Sequence, residues 1–163
     1  MLAAIDGAVR QLDASAARDE VLAELIPRHR RLLVTREESL RPVGRVWRLG
    51  VFLLDREGVL RATGSITRAT NPGRPAYQSR SAEARRAERA AAQRGHIRDG
   101  ETVNWDTRVI PLDPDALADA AGPLVLRDDG AFVRWSAAAD ATIPFDRYLA
   151  ERVELLVHPP EGA

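Results

Sequence analysis

The sequence lacks cysteine altogether, and it lacks lysine as well, so that all 24 of its basic residues are arginine. The absence of cysteine excludes disulfide bonds, thiolate nucleophiles and cysteine metal ligands. The absence of lysine excludes Schiff-base chemistry, the lysine of a phosphate-binding P-loop and the Ser-x-x-Lys active site. Several common covalent and phosphate-binding chemistries are therefore excluded by residue type alone.

Large apolar side chains and aromatic residues are also scarce. The chain has 163 residues and 45% of them are hydrophobic, but 27 of these are alanine and only eight residues are aromatic. Because a chain of this length makes one domain, we expect a single domain over residues 1–163 with a lean core. Within it we expect a helical N-terminal segment over residues 1–27 and a sheet-containing core over residues 43–158.

No long hydrophobic run is present. The longest uncharged apolar run, from Leu49 to Leu54, is far shorter than the roughly 20 residues that span a bilayer. Residues 1–10 lack the basic start of a secretion signal. We therefore expect a cytoplasmic protein without membrane association.

The formal net charge of zero hides an uneven distribution of charge along the chain. Residues 1–27 carry −3, residues 28–98 carry +11, and residues 99–163 carry −8. Such separation has two explanations: an exposed positive face that attracts an anionic partner, or basic and acidic regions that face one another within the fold or across a dimer. Because the core is lean and the charge blocks are opposed, we expect a homo-oligomer.

Two helices are predicted in the N-terminal segment. Apolar residues recur at three- and four-residue steps from Leu2 to Leu12, which indicates one apolar stripe on a helix. A second helix is predicted from Ala16 to Ile26, and Pro27 ends it.

A β-hairpin is predicted from two strand-like runs, Arg45 to Leu54 and Val59 to Arg68. They flank a four-residue loop, Asp55 to Gly58, that has glycine where a positive φ is needed. Loop length and side-chain alternation indicate the same register. That register places Leu53 opposite Leu60, Val51 opposite Ala62, Leu49 opposite Gly64 and Trp47 opposite Ile66. The small residues of this face leave room for another backbone.

An alanine- and arginine-rich helix is predicted from Ala82 to Arg94, with Ser79 or Ser81 as its N-cap and Gly95 as its end. One side of the helix carries Ala84, Ala87 and Ala91. Since alanine lets a helix lie close to a sheet, we expect this side to pack over the Ala62 and Gly64 face of the hairpin.

The C-terminal half contains further short elements. A half-buried strand is predicted from Thr102 to Ile110, followed by a short helix that Asp113 caps and Gly122 closes. A second hairpin is predicted from Leu124 to Asp128 and Ala131 to Trp135, with Leu126 opposite Val133. A helical turn from Pro144 and a final strand from Val153 to Val157 complete the chain. Mainly antiparallel strands with helices between them indicate the α+β class. We expect two layers: a mainly antiparallel sheet with the Ala/Arg-rich helix packed on one face, and N-terminal helices.

No recognisable metal or cofactor motif is present. His29, His96 and His158 are too widely spaced for a zinc site, and helix capping explains Asp113 and Asp115. The Gly-x-Ser-x-Gly elbow, the GxGxxG fingerprint and the Walker loop are all missing. We expect neither a metal nor a cofactor.

One group of residues has a mechanism for binding an anion. A helix N-terminus offers N–H groups and partial positive charge, serine hydroxyls donate hydrogen bonds, and guanidinium forks bind carboxylate or phosphate. The predicted ligand-binding residues are Arg68, Arg74, Tyr77, Ser79, Arg80, Ser81, Arg85, Arg86 and His96. The same serines can be plain caps and the arginines a solvated face, and both readings stay open. Nucleic-acid binding is disfavoured, because the basic block has few aromatics to stack on bases and the isoelectric point is near 6.9.

Three segments resemble a family of short uncharacterised actinobacterial proteins. They are Gly44-Arg45-Val46-Trp47-Arg48-Leu49-Gly50-Val51, Ala62-Thr63-Gly64 and Ser81-Ala82-Glu83-Ala84-Arg85-Arg86. The resemblance covers less than half of the chain, from Val43 through Val109, and some members of that family are labelled glutaminase. The label implies either the Ser-x-x-Lys pair of serine-dependent glutaminases or the cysteine of amidotransferase glutaminases. Because this chain has neither lysine nor cysteine, the resemblance transfers no catalytic residue.

We therefore expect a non-catalytic interaction or small-anion-binding domain that self-associates, with residues 68–86 as its ligand surface. The alternative is a small hydrolase or transferase that acts on an anionic metabolite. An ordered pocket that combines His96 with an acid and arginines would favour the enzyme, whereas a flat surface would favour the interaction domain.

Overall fold

A computed structural model describes residues 1–31, 34–73, 79–118, 122–135 and 141–160 of the chain. The chain divides into two compact units. The first unit contains residues 1–19, 46–63 and 108–163, and the second unit contains residues 20–45 and 64–107. Each unit is therefore assembled from segments that are distant in sequence.

Helices and strands alternate irregularly along the chain. The helices are α1 (Leu2–Ala14), α2 (Arg80–Arg94), α3 (Pro114–Ala118) and α4 (Phe145–Val157). The strands are β1 (Glu20–Ile26), β2 (His29–Arg31), β3 (Val34–Arg36), β4 (Ser39–Leu49), β5 (Phe52–Leu54), β6 (Leu60–Ala62), β7 (Ser65–Arg68), β8 (Thr102–Trp105), β9 (Arg108–Val109), β10 (Leu124–Arg127), β11 (Gly130–Arg134) and β12 (Thr142–Pro144).

The strands form a seven-stranded sheet and two smaller sheets. The order in the large sheet is β7-β8-β1-β4-β5-β6-β9, and the smaller sheets are β10-β11-β12 and β2-β3. Strand β1 pairs with β8 in parallel, whereas β8 with β7, β4 with β5, β5 with β6 and β6 with β9 pair in antiparallel fashion. Residues 39–45 of β4 belong to the second unit and residues 46–49 to the first. The predicted α+β class is confirmed, while the single domain over residues 1–163 stays a prediction.

The second predicted N-terminal helix is wrong, because Glu20–Ile26 forms strand β1. Helix α1 ends in a Schellman motif at Ala16, which has φ of 49°, and the N–H groups of Ala16 and Ala17 bond back to its last turn. Beyond this end, residues 21–23 are buried consecutively, as in a strand covered on both faces. A short apolar run of this kind does not distinguish a buried strand from a helix by periodicity.

The predicted final strand over residues 153–157 is also wrong, because this stretch is the last part of α4. Burial follows a helical step through Phe145, Tyr148, Leu149 and Val153, whereas Leu155 is exposed. Helix α4 packs against α1, and the backbone N–H of Val51 donates to its tyrosine hydroxyl at 3.0 Å. Three alternating apolar residues were therefore part of a longer helical pattern.

The first hairpin exists in shortened form and in a different register. Strands β5 and β6 pair Leu54 with Leu60 and Phe52 with Ala62. The loop contains residues 55–59, one residue more than predicted, and the Asp55 carboxylate accepts a hydrogen bond from the Val59 N–H at 2.8 Å. One extra loop residue shifts the register by one position. The outer parts of the predicted strands pair elsewhere: Trp47 lies opposite Leu54, and Ile66 lies opposite Asn104.

The predicted strand from Thr102 to Ile110 is broken at Asp106, which has φ of 55°. Its halves are β8 and β9. A Cβ at Gly64 would overlap the carbonyl of Asp106. The backbone that approaches Gly64 is therefore this break and not the predicted alanine-rich helix.

The start of the short helix is confirmed, whereas its predicted closure at Gly122 depends on residues 119–121, which lie outside the described residues; the second hairpin is present in a different register. The Asp113 carboxylate caps α3 by accepting hydrogen bonds from the N–H groups of Asp115 and Ala116, both at 3.1 Å. In the β10–β11 hairpin, Leu124 lies opposite Val133. The predicted register was off by two positions, which leaves each side chain on its predicted face.

Each unit has its own core. The core of the first unit contains the aromatic residues Trp47, Phe52, Phe145 and Tyr148 together with residues of α1, α3 and β6. The core of the second unit consists of Val21, Ala23, Leu40, Ala69, Ala91, Ala92, Ile97 and Val103. None of the helices in the described ranges combines the length and the apolar character that crossing a bilayer requires.

Candidate functional site

The C-terminal end of α2 is held by a second Schellman motif. The N–H of His96 donates to the Gln93 carbonyl at 2.9 Å, and the N–H of Ile97 donates to the Ala92 carbonyl at 3.3 Å. His96 occupies the left-handed position of this motif, with φ of 57°. Glycine is the usual residue there, because a side chain in this conformation is strained.

Gly95 ends α2 as predicted, but for a reason of packing. Its φ is −78°, a value that any residue adopts. A Cβ at this position would overlap the carbonyl oxygen of Leu40 in β4. Glycine is therefore needed for the close approach of α2 to the strand.

Only the last part of α2 packs closely against the rest of the second unit. Ala91 and Ala92 are buried, whereas Ala84 and Ala87 are exposed. The predicted packing of the helix over Ala62 is wrong, because Ala62 belongs to the core of the first unit. The buried alanines instead belong to one hydrophobic cluster with residues of β1, β4 and β8.

The first turns of α2 carry exposed or half-exposed arginines: Arg80, Arg85 and Arg86, which we call the arginine surface. Within the described residues, these three guanidinium groups have no carboxylate partner. Ser79 is the N-cap residue but makes no side-chain capping bond, and its hydroxyl lies 3.0 Å from that of Ser81. The arginine surface is thus exposed as predicted, without the predicted serine caps.

The other residues of the predicted anion site are dispersed. The guanidinium of Arg68 donates through Nε to the Gly100 carbonyl at 3.1 Å. His96 follows the opposite end of α2, about 21 Å from the first turn at 1.5 Å per residue. Arg74 and Tyr77 lie outside the described residues. The structure therefore does not bring His96 together with the arginine surface.

His96 instead lines a cleft of about 530 Å³ in the second unit. This α2 cleft lies where the end of α2 meets β1, β3 and β4. Its lining residues are Ile26, His29, Arg36, Glu37, Ser39, Arg41, Arg94, Gly95 and His96.

Two of the three arginines in the α2 cleft are held by neighbours. Arg41 pairs with Glu24, and Arg94 donates through Nε to the carbonyl of Glu38. Arg36 is exposed and has no carboxylate partner among the described residues. The Glu37 carboxylate, the acid of the lining, lies 3.4 Å from the Arg28 guanidinium, which offsets its charge. The cleft therefore has a net positive charge, and within the described part of the chain the Arg36 guanidinium has neither an ion pair nor a hydrogen bond.

His29 is fixed by its own backbone. Its Nδ1 lies 3.1 Å from the carbonyl oxygen of Pro27. Because a carbonyl oxygen only accepts, Nδ1 carries the proton and donates. The other ring nitrogen, Nε2, is then left for a ligand.

Sequence reasoning found His96 but missed the other cationic residues of the α2 cleft. These are His29, Arg36, Arg41 and Arg94. A histidine in the position after Gly95, where the left-handed conformation is strained, was the one local signal. The remaining residues come together only through the tertiary fold.

No group of histidine and carboxylate residues suited to holding a metal ion occurs in the described part of the chain. No family model, no curated protein and no solved structure matches the chain. Its function is therefore inferred from its own residues.

Proposed function

We propose that this chain is a non-catalytic domain that binds a small oxyanion in the α2 cleft. The observation that carries the proposal is a concave site with three arginines and two histidines, in which Arg36 has no carboxylate partner among the described residues. A planar guanidinium binds carboxylate or phosphate through two parallel hydrogen bonds. An oxyanion would supply the partner that Arg36 lacks.

The size of the cleft supports a ligand larger than an inorganic ion. Its volume of about 530 Å³ lies within the range of small-molecule sites. Ile26 and the aliphatic stems of the arginines provide apolar contact, while the charged ends provide orientation. A metabolite that has both an apolar part and an anionic group can use both kinds of contact, whereas an inorganic ion can use only the charged ones.

The arginine surface supports anion binding less well than the cleft does. Its guanidinium groups stand on the exposed first turns of α2. The arginines of the cleft are exposed as well, but they surround one concavity together with His29 and His96, whereas those of the arginine surface lie along a single helix. We therefore place the ligand in the cleft and not at residues 68–86.

The alternative function, a small hydrolase or transferase, is favoured by one observation. The α2 cleft combines His96 with an acid, Glu37, and with arginines. General acid–base catalysis by histidine is normally supported by a carboxylate hydrogen-bonded to the ring. In the described residues, the ring of His29 bonds a carbonyl and Glu37 faces Arg28, so we place binding first.

Hydrolysis of p-nitrophenyl phosphate and p-nitrophenyl acetate separates these two functions. A binding domain leaves both substrates at the uncatalysed rate in the parent protein and in His96→Asn. Turnover that the parent shows and His96→Asn loses would establish the enzyme.

Titration with sulfate by isothermal calorimetry tests the binding site. We expect Arg36→Ala to raise the sulfate Kd about tenfold or more, because a charge-assisted bond is worth about 1.5–3 kcal/mol. The matched control is the double variant Arg85→Ala/Arg86→Ala, for which we expect an unchanged Kd. The reverse result would move the site to the arginine surface, and no binding by the folded parent would refute the proposal.

Self-association is a second proposal, supported by the charges of the two units. The second unit contains 14 arginines and nine acidic residues, a net charge of +5, and the first unit carries the opposite charge of −5. Opposite charges on two surfaces attract copies of the chain at low ionic strength. Sedimentation at low and high salt tests this: we expect a dimer that dissociates in high salt, and a monomer throughout would refute it.

A further inference from the structure

We propose that the α2 cleft binds a doubly charged oxyanion together with one proton, and that His29 carries this proton. The inference rests on the proposed function, because it concerns the same cleft. It assigns a ligand class, a phosphate monoester, for which sulfate serves as the probe, and it distinguishes the roles of the two histidines.

The bond between His29 and Pro27 decides what the ring offers to a ligand. With Nδ1 donating to the carbonyl oxygen, a neutral imidazole has its only proton on Nδ1. Its Nε2 then presents a lone pair, which repels an anion. Protonation converts Nε2 into a donor and adds a positive charge to the ring. An oxyanion that contacts Nε2 therefore binds the protonated form of His29.

His96 differs from His29 in this respect. Among the described residues, no hydrogen bond fixes a ring nitrogen of His96. A neutral His96 can therefore carry its proton on whichever nitrogen faces the ligand. It can donate to an anion in its neutral form, so that an anion at His96 does not require an additional proton.

The charges around His29 indicate a ligand that carries two negative charges. Arg36 lies directly opposite His29 in the β2–β3 ladder. A bound dianion compensates both groups, whereas a monoanion compensates only one. Several elements around His29 carry charged or titratable residues. They are Arg28, Arg30 and Arg31 from its own segment, Arg36 and Glu37 from β3 and the turn after it, Glu38 and Arg41 from the turn and β4, Glu24 from β1, and Arg94 and His96 from the end of α2.

Sulfate is the suitable probe, because it keeps both charges between about pH 8 and pH 6, where histidine titrates. We expect the sulfate Kd to fall roughly tenfold across this interval, since binding takes up a proton and lower pH supplies it. Calorimetry near pH 7 in two buffers of different ionisation enthalpy measures the proton count directly. We expect up to one proton per sulfate.

Three variants identify the histidine that takes up the proton when sulfate binds. His29→Asn retains a donor that does not titrate, and we expect it to bind sulfate with a Kd that no longer depends on pH. His96→Asn is tolerated in the left-handed conformation, and we expect it to retain the pH dependence. His158→Asn is the matched control, since His158 lies in the first unit beside Glu154, and it should behave as the parent.

Acetate and glycerol 3-phosphate test the ligand class. We expect glycerol 3-phosphate to displace sulfate, and acetate to bind at least tenfold more weakly than sulfate. Equal affinity for acetate and sulfate would overturn the choice of a dianion.

The outcomes separate this inference from the function on which it rests. Sulfate binding without proton uptake, or pH dependence that His96→Asn abolishes and His29→Asn retains, would overturn the inference and leave anion binding intact. No sulfate binding by the folded protein at any of these pH values would overturn both.

Discussion

The two compact units differ in how they are stabilised. Among the described residues, the core of the first unit contains four aromatic side chains, and the ring of Phe52 makes edge-to-face contacts with Phe145 and Tyr148 at centroid distances of 5.9 and 5.8 Å. Four of the eight described residues in the core of the second unit are alanine. Aromatic rings bury far more area than alanine, and such pairs add about 0.5–1.5 kcal/mol beyond it. The first unit therefore has the larger apolar stabilisation per residue.

The C-terminal ends of α1 and α2 provide a second comparison between the two units. Both helices end in Schellman motifs with a residue other than glycine in the left-handed position, namely Ala16 in the first unit and His96 in the second. His96 lines the α2 cleft. Backbone strain at His96 coincides with the candidate site, as strain often does at functional positions. The lean, basic unit thus contains the features that suggest binding.

The largest effect is expected from Phe52→Ala in the first unit. Removal of a fully buried ring leaves a cavity and should lower the free energy of unfolding by about 3–5 kcal/mol. Urea denaturation followed by circular dichroism measures it. Leu155→Ala, at a position 48% exposed, is the control, with an expected change under about 0.5 kcal/mol. An equal decrease in the free energy of unfolding for both variants would show that the aromatic core is not what stabilises the first unit.

A smaller effect is expected where α2 approaches β4 in the second unit. Gly95→Ala should cost about 1–3 kcal/mol, because the added Cβ overlaps the carbonyl of Leu40 and the backbones must separate. Gly7→Ala in α1 is the matched control, since nothing lies within 4 Å of its added Cβ. We expect this control to stabilise the protein by about 0.5–1 kcal/mol, because alanine favours the helix. Gain of stability by both variants would show that α2 is not held against the strand in solution.

Local chemistry predicted the elements whose ends are set by their own residues. The cap by Asp113 and the tight turn of the β10–β11 hairpin each depend on neighbours within a few residues. The same is true of α1, whose apolar stripe runs the whole length of the helix. The α+β class follows from the sum of these elements.

The features that were predicted wrongly or missed depend on residues that are distant in sequence. Strand β1 is buried because it pairs with β8, about 80 residues away, and its short apolar run resembles a helix when read alone. The register at Leu54 shifted with one extra loop residue. The α2 cleft joins His29 to Arg94 through tertiary folding. A predicted site confined to residues 68–96 could not contain His29, Arg36 or Arg41.

An effect of about 1 kcal/mol is expected at Arg56, which ties the loop after α1 to the loop after β5. Its guanidinium binds Asp19 at 2.9 Å and Asp13 at 3.2 Å and lies 4.8 Å from the ring centroid of Trp47. These carboxylates, Asp19 foremost, raise the pKa of Arg56 above its usual range. Arg56→Gln should therefore destabilise the first unit, but only by about 1 kcal/mol, because the group is largely exposed.

Urea denaturation at low and high salt measures this contribution. We expect the difference between Arg56→Gln and the parent to shrink in high salt, since screening weakens exposed ion pairs. Arg10→Gln is the control, because Arg10 has no ion-pair partner among the described residues. A difference that is unchanged by salt would assign the effect to packing on the indole ring.

The smallest effect compares the two left-handed positions directly. Ala16→Gly and His96→Gly each remove strain of about 1–2 kcal/mol, part of which is offset by the greater freedom of glycine in the unfolded chain. Both variants should therefore gain about 0.5 kcal/mol of stability in urea denaturation. The sulfate Kd should rise only in His96→Gly, because only that variant loses a donor in the cleft. If both variants gain stability and both bind sulfate with the Kd of the parent, the side chain of His96 does not contribute to sulfate binding.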